Sequence, residues 1–297
     1  LCMIYSTRGL GKTWMALELA YAVASSGQFL IWEAEAPEGV LYIDGEMPMT
    51  VMQERLAQIV VNSPKKIAAP LSIITPDAQE YGIPDLSTLD GQESIEKLIT
   101  EQTKLIVMDN ISTLIRSGKE NEGESWLPVQ EWALRLRSRG KTVLFIDHSG
   151  KGGQQRGTSW REDVLDTVIA LKKPADYKQQ DGAHFEVHFE KNRGLYGDEV
   201  KPFEARLISN SNVEGIKKFE WNWKTLEESK FEKVCRLYNE GMSQGEITNE
   251  LDINKSTVSK YVKRGKNEQN ITRFVLQGSG DFDLRKVLGD RVVDVSI

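Results

Sequence analysis

The sequence predicts an α/β domain on a mostly parallel sheet, followed by a small all-α module. Two observations carry that expectation. Short apolar runs alternate with helical patterns over the first two-thirds of the chain, and amphipathic helices replace the strand pattern from residue 226. The apolar runs occupy residues 1–5, 29–32, 40–43, 71–74, 105–108, 143–146 and 168–171, with an alternating run at 184–189. Helical periodicity falls at 13–25, 50–61, 91–103 and 126–139. Strands separated by helices form βαβ units, whose sheet is covered on both faces. Polar, Gly-rich segments at 117–125 and 149–160 follow strands, at the edge where open α/β sheets bind ligands. The strand pattern is expected to stop near Trp221–Trp223, giving a sheet domain at 1–225, a helical domain at 226–268 and an unassigned tail at 269–297.

Composition narrows the class. With 39% hydrophobic and 28% charged residues, the chain belongs among ordinary soluble globular proteins rather than disordered ones. No apolar run approaches the roughly 18 residues that span a bilayer, and none resembles a signal peptide, which points to the cytoplasm and to no membrane partner. Cys2 and Cys235 lie far apart without a CxxC partner and are expected to be packing residues. A net charge of −6 excludes a chain that is basic throughout, though a local basic stripe suffices for nucleic acid. The first apolar run starts at Leu1 as if a strand were entered partway, so a preceding segment is expected.

The strongest motif is Ser6-Thr7-Arg8-Gly9-Leu10-Gly11-Lys12-Thr13, between the first apolar run and the helix that opens with Trp14. It matches GxxxxGK[ST] except for Ser6 in place of the first glycine. Backbone N–H groups of such a loop and helix N-terminus converge on phosphates. Lys12 would reach the β- and γ-phosphates of ATP, and the Thr13 hydroxyl would ligand Mg²⁺. Gly9 and Gly11 suit turns that a side chain would obstruct.

Hydrolysis needs acids as well. Residues 105–109 are four apolar residues ending in Asp109, which can hold Mg²⁺; the alternative is that Asp109 caps the next helix. The run at 40–43 ends in Asp44-Gly45-Glu46, where the two acids share a face if the extended period continues. Glu46 is the candidate general base, against a plain solvated loop acid. The run at 143–146 leads to His148, placed to sense the γ-phosphate or to serve as a structural histidine. Arg156 follows in a Gly- and Gln-rich loop suited to strand contact or communication between subunits. Lys191 and Arg193, at spacing two beyond an alternating strand, are either a solvated hairpin tip or cations that complete a neighbour's site.

Together the STRGLGKTW loop, the VLYIDGEMP and IVMDNIS strands and the FIDHSGKGGQQRGTS segment resemble the RecA-like P-loop superfamily, and within it the RepA-type hexameric plasmid replication helicases and associated AAA ATPases. The resemblance covers roughly residues 1 to 200. It implies a RecA-like fold, ATP and Mg²⁺ as cofactors, Glu46 as catalytic carboxylate, His148 after the third strand, and Arg156 in the RG[ST]S element. It also implies Lys191 and Arg193 as the basic pair inserted into an adjoining subunit of a homo-oligomer, a hexamer in the helicases named, around single-stranded DNA.

The last third reads as a helix-turn-helix. An amphipathic helix at 232–239 ends at Gly241, Ser243 to Glu246 forms a capping box, and a short turn at 252–254 precedes a basic helix. Lys255, Ser256, Thr257 and Lys260 would enter a major groove, while Lys263 and Arg264 are better placed for phosphates. The string resembles resolvase- and repressor-type modules; the alternative is a solvated helical hairpin. Two functions are compatible with all of this: an ATP-driven motor on the DNA of a plasmid, phage or mobile element, or an ATP-gated DNA-binding regulator that does not unwind.

Overall fold

In the computed structural model, which describes residues 1–116, 125–150, 163–178, 182–213, 216–226 and 230–267, the chain divides into two units, Leu1–Leu226 and Glu227–Ile297. The first unit opens with β1 (Cys2–Ser6) and α1 (Lys12–Ser25), then a small hairpin of β2 (Gln28–Phe29) and β3 (Trp32–Glu33). β4 (Gly39–Asp44), α2 (Met49–Asn62), β5 (Leu71–Ile74) and α3 (Leu89–Glu96) follow. Next come β6 (Thr103–Asp109), α4 (Ile111–Leu114), α5 (Leu127–Ser138), β7 (Thr142–His148) and β8 (Thr167–Lys172). Three long strands close the unit: β9 (His184–Asn192), β10 (Phe203–Val213) and β11 (Ile216–Thr225).

Nine of these strands form one sheet, ordered β11-β10-β9-β8-β1-β7-β6-β4-β5. From β8 to β5 every pairing is parallel. β9, β10 and β11 continue the sheet antiparallel. The parallel strands are buried on both faces, and their alternate residues feed two cores. Ile4, Tyr42, Val107 and Ile146 pack with Met15, Leu17 and Ala20 of α1 and Met52 and Ile59 of α2. Met3, Tyr5, Ile106 and Phe145 pack with Ile95 of α3 and Val129, Trp132 and Leu136 of α5. Ala16, Ala20 and Ala24 recur at helical spacing with no exposure, so α1 approaches the sheet closely. Trp126 meets Phe145 edge-on at 5.1 Å; truncating a buried aromatic of this kind costs about 3–5 kcal/mol.

Two expectations are corrected, and two strands are added. Residues 29–32 are not a strand of the main sheet: they fold on themselves, Phe29 pairing with Trp32, with Leu30 at φ 53°. A short apolar run signals burial but does not name its pairing partner. The helix expected over 91–103 runs from Leu89 to Glu96, and a turn in which Thr100 N donates to Thr103 Oγ1 leads into β6. The strand pattern ends just past Trp223, where β11 closes at Thr225, but β10 and β11 were not among the expected strands. Their period-2 signal was present in Phe203-Ala205-Leu207 and Phe219-Trp221-Trp223, muted by the charged residues between.

The second unit holds α6 (Lys230–Asn239), α7 (Gln244–Leu251) and α8 (Lys255–Asn267) around a small core of Val234, Leu237, Tyr238, Ile247, Val258 and Val262. The capping box at the start of α7 is complete: Ser243 Oγ accepts from Glu246 N, and Ser243 N donates to the Glu246 carboxylate. Asp252 closes α7 in the left-handed region at φ 48°. α8 begins at Lys255, after Ile253 and Asn254.

Candidate functional site

Sheet order brings the predicted residues to one edge. β7 lies between β1 and β6, and β6 pairs with β4. Ser6 is level with His148, and Asp44 is level with Asp109. The C-terminal ends of these four strands and the N-terminus of α1 border a cleft of about 290 Å³, lined by Arg8, Gly9, Lys12, Thr13, Glu46 and Asp109, with His148 and Trp14 beside them.

The loop from Ser6 to Thr13 turns on two glycines. Gly9 has φ +78° and Gly11, the residue before α1, has φ +103°. A Cβ on Gly11 would stand 2.6 Å from Ala183 Cβ, so both backbone angle and space require glycine there. Ser6, standing where the motif has glycine, is buried and donates its hydroxyl to Thr7 O. Ser6, Thr7 and Leu10 shape the loop without lining the cleft, and Leu10 points into the core. Lys12 Nζ donates to Ser6 O, Ser6 Oγ and Thr7 O, each at 3.2 Å, and lies 3.1 Å from His148 Nδ1. Burial lowers the Lys12 ammonium to about 8, opposed by the carboxylates of Asp109, Asp147 and Glu46.

Asp109 ends β6 and is nearly fully buried, with Tyr42 Oη donating to its Oδ2 at 2.7 Å and the Thr13 hydroxyl also bonded to it. Burial raises its pKa. It is not the cap of α4: that place belongs to Asn110, whose Oδ1 accepts from Thr113 N. Asp44 and Glu46 both border the cleft but differ in exposure. Asp44 is 1% exposed and accepts from the backbone N–H groups of Glu46 and Met47. Burial, then the nearby charge of Asp109, raises it to about 7. Glu46 lies in the bend beyond β4, exposed to the cleft, with Asn110 Nδ2 donating to its Oε2 at 2.7 Å. His148 Nε2 is 4.0 Å from that oxygen.

Four contributors were not singled out from sequence: Tyr42, Arg55, Asn110 and Phe219. Arg55, from α2, stands 5.3 Å above the Trp14 ring and lines the same cleft. Phe219 of β11 meets the other aromatic neighbour of that wall, Trp14, at 5.6 Å. The only available signal was the Asn following Asp109; the others depend on strand order.

Lys191 and Arg193 are not in this cleft. They lie where β9 passes the start of β8, and β8 starts level with Cys2, at the opposite end of β1 from Ser6. Arg193 Nη1 is 3.9 Å from Asp166, and both cations reach Asp163 O. Arg156 falls outside the described residues. In the second unit Lys255, Ser256, Lys260, Lys263 and Arg264 are exposed along α8 and Thr257 is half-buried. The Arg264 guanidinium covers the Phe231 ring at 4.4 Å and Lys266 covers Tyr238 at 5.3 Å, so part of the basic stripe also packs its own unit.

Buried acids ending two strands, a lysine at the start of a helix and a glycine loop beneath it define a RecA-like P-loop ATPase. The particular family follows from comparison with known proteins: a model of the AAA domain matches residues 1–154, more than half of the chain, and the chain belongs to that family. A search of the curated proteins finds no match. Among solved structures the chain is similar to a KaiC-like protein of the hyperthermophilic archaeon Pyrococcus horikoshii OT3, at 15% identity and a TM-score of 0.48, over 74% of this chain and 88% of that one. Among the described residues no helix is long and apolar enough to cross a membrane.

Proposed function

We propose that this protein is a Mg²⁺-dependent ATP-hydrolysing motor that acts on DNA, in the manner of a RepA-type replicative helicase. The observation that carries the reading is the convergence of Lys12, Thr13, Asp109, Glu46 and His148 on one cleft. The donor set fits a divalent cation: Asp109 and Asp44 are neighbouring buried acids whose pKa values are raised chiefly by burial, a cost that a bound cation would offset. Thr13 and Asp109 would hold Mg²⁺, which supplies charge neutralisation between the phosphates when bound.

The triphosphate would lie across the loop, with backbone N–H groups of α1 and the Lys12 ammonium on its oxygens. A water in line with the γ-phosphorus attacks it, the bond from phosphorus to the β-bridging oxygen breaks, and Glu46 takes the proton of that water. Asn110 fixes the Glu46 carboxylate, and His148 stands between Glu46 and Lys12. Trp14 and Arg55 offer a flat wall for the base.

The exposed lysines of α8, in a three-helix unit with a tight turn before it, support duplex contact by a helix-turn-helix: Lys255, Ser256, Thr257 and Lys260 toward bases, Lys263 and Arg264 toward phosphates. Because Lys191 and Arg193 are remote from the cleft of their own chain, they suit action on a neighbouring subunit's phosphates in a homo-oligomeric ring. The test is the ATPase rate without DNA, with single strands and with duplex. Strong stimulation by single strands supports the motor. Stimulation by duplex alone, with no strand separation, would replace it with an ATP-gated regulator, which the same α6–α8 unit would serve.

A further inference from the structure

One turn along α1 from Trp14, Glu18 faces β11, and its Oε1 accepts a 3.0 Å hydrogen bond from Trp221 Nε1. Burial raises this carboxyl to about 7, and among the described residues the only opposing influence is that indole; no cation contributes. Glu18 borders a cleft of about 210 Å³ with Tyr21, Asn62, Phe219, Glu220 and Trp221. A second cleft of about 350 Å³, bordered by Glu33, Lys65 and Trp223, continues from it, the two sharing Gln28, Leu30, Pro64 and Trp221. Lys65 donates to Ser26 O.

Such a groove joins acids to aromatic walls. A carboxylate in low-dielectric surroundings without a cation is half of an ion pair, and its charged form is held at a free-energy penalty. The Trp221 bond occupies one acceptor position, leaving lone pairs on both Glu18 oxygens. A guanidinium satisfies all the features together: it is planar, weakly hydrated, stacks on indole and phenol faces and forks onto a carboxylate, whereas an ammonium is a strongly hydrated point charge. We propose that this groove binds a guanidinium group, with Glu18 as its anion and Trp221 as its wall. The site is independent of the nucleotide reading, since none of its chemistry uses the phosphate loop.

Calorimetric titration of the full chain with N-acetyl-arginine amide tests this, with N-acetyl-citrulline amide as the uncharged isostere. Saturable binding of the arginine derivative is expected, with affinity about tenfold or more lower for the citrulline derivative and a similar loss in Glu18→Gln, which keeps an acceptor for Trp221. Because a bound cation favours ionised Glu18, affinity should fall as pH drops through about 7. Glu33, Glu220, Tyr21 and Lys65 also face the groove, so the pH dependence must persist in Glu33→Gln and Glu220→Gln and vanish in Glu18→Gln. A shift of the Trp221 indole N–H resonance on adding the arginine derivative reads the site without any substitution. Agmatine binding more tightly than an arginine-containing pentapeptide assigns the source to a free guanidine, and the reverse order assigns it to a protein segment. Equal binding of the citrulline derivative, undiminished binding by Glu18→Gln, or no saturable response to any probe overturns the proposal.

Discussion

Nζ of Lys12 lies 3.1 Å from Nδ1 of His148, tying the lysine of the phosphate loop to the end of the neighbouring strand. An ammonium only donates, so Nδ1 accepts and the ring proton sits on Nε2, 4.0 Å from Glu46 Oε2. Lys12 and His148 are thus in direct contact, while Glu46 stands next to the ring but beyond hydrogen-bond reach.

The lysine itself should give nucleotide binding a pH signature. Its ammonium, lowered to about 8 by burial, must be charged to meet phosphate oxygens, and a bound triphosphate raises it again. Between those two values binding takes up a proton. ATP affinity should hold steady below about 8 and then fall by up to about tenfold per pH unit above it. Lys12→Met should remove both the dependence and most of the affinity, measured with a fluorescent ATP analogue.

Glu46→Gln should leave ATP affinity close to that of the parent while lowering kcat by about 10²–10⁴, the usual worth of a positioned general base. The amide still accepts from Asn110, so the loop keeps its bond. Single-turnover hydrolysis is the measurement; full turnover in the variant would move the base elsewhere.

Asp44 should limit stability at alkaline pH. In the fold it holds its proton up to about 7, against an ordinary value of 3.8. Its favourable contribution is complete below the lower value and is lost as pH rises through the higher. At about 1.4 kcal/mol per unit the loss is of order 4 kcal/mol. Asp44→Asn, melted without nucleotide, should be more stable than the parent near pH 8 and lose that advantage near pH 4. An equal effect at both pH values would mean that packing, rather than ionisation, governs the site.

Gly11→Ala should destabilise the domain by about 2–4 kcal/mol, combining a backbone angle unfit for alanine with a Cβ overlapping Ala183. Calorimetric unfolding reads the loss. Gly9→Ala is strained in angle alone, with nothing within 4 Å of its Cβ, and should cost less.

Replacing Lys260 and Lys263 with alanine should weaken duplex binding, and each phosphate contact removed should lower the slope of log K against log salt by about one. Anisotropy titrations across salt separate the two: Lys263 is expected to change the slope and Lys260 the sequence preference.

Much was legible in the sequence because it is local. The Ser6–Thr13 loop depends on eight consecutive residues; the capping box at Ser243 and Glu246 depends on four; and the strand that ends in Asp109 announces itself by its apolar run. These signals arise from backbone geometry and short-range hydrogen bonds, which neighbours in sequence determine. Tertiary structure decided the rest. Inserting β7 between β1 and β6 sets His148 against Lys12, and pairing β4 with β6 sets Asp44 beside Asp109, buries both and raises their pKa values. It also left Glu46 exposed beside a buried Asp44, turned residues 29–32 into a hairpin, and carried β11 across to place Phe219 and Trp221 against α1. Strand order is a long-range choice made by burial on two faces, and no window of sequence contains the partner that a strand will take.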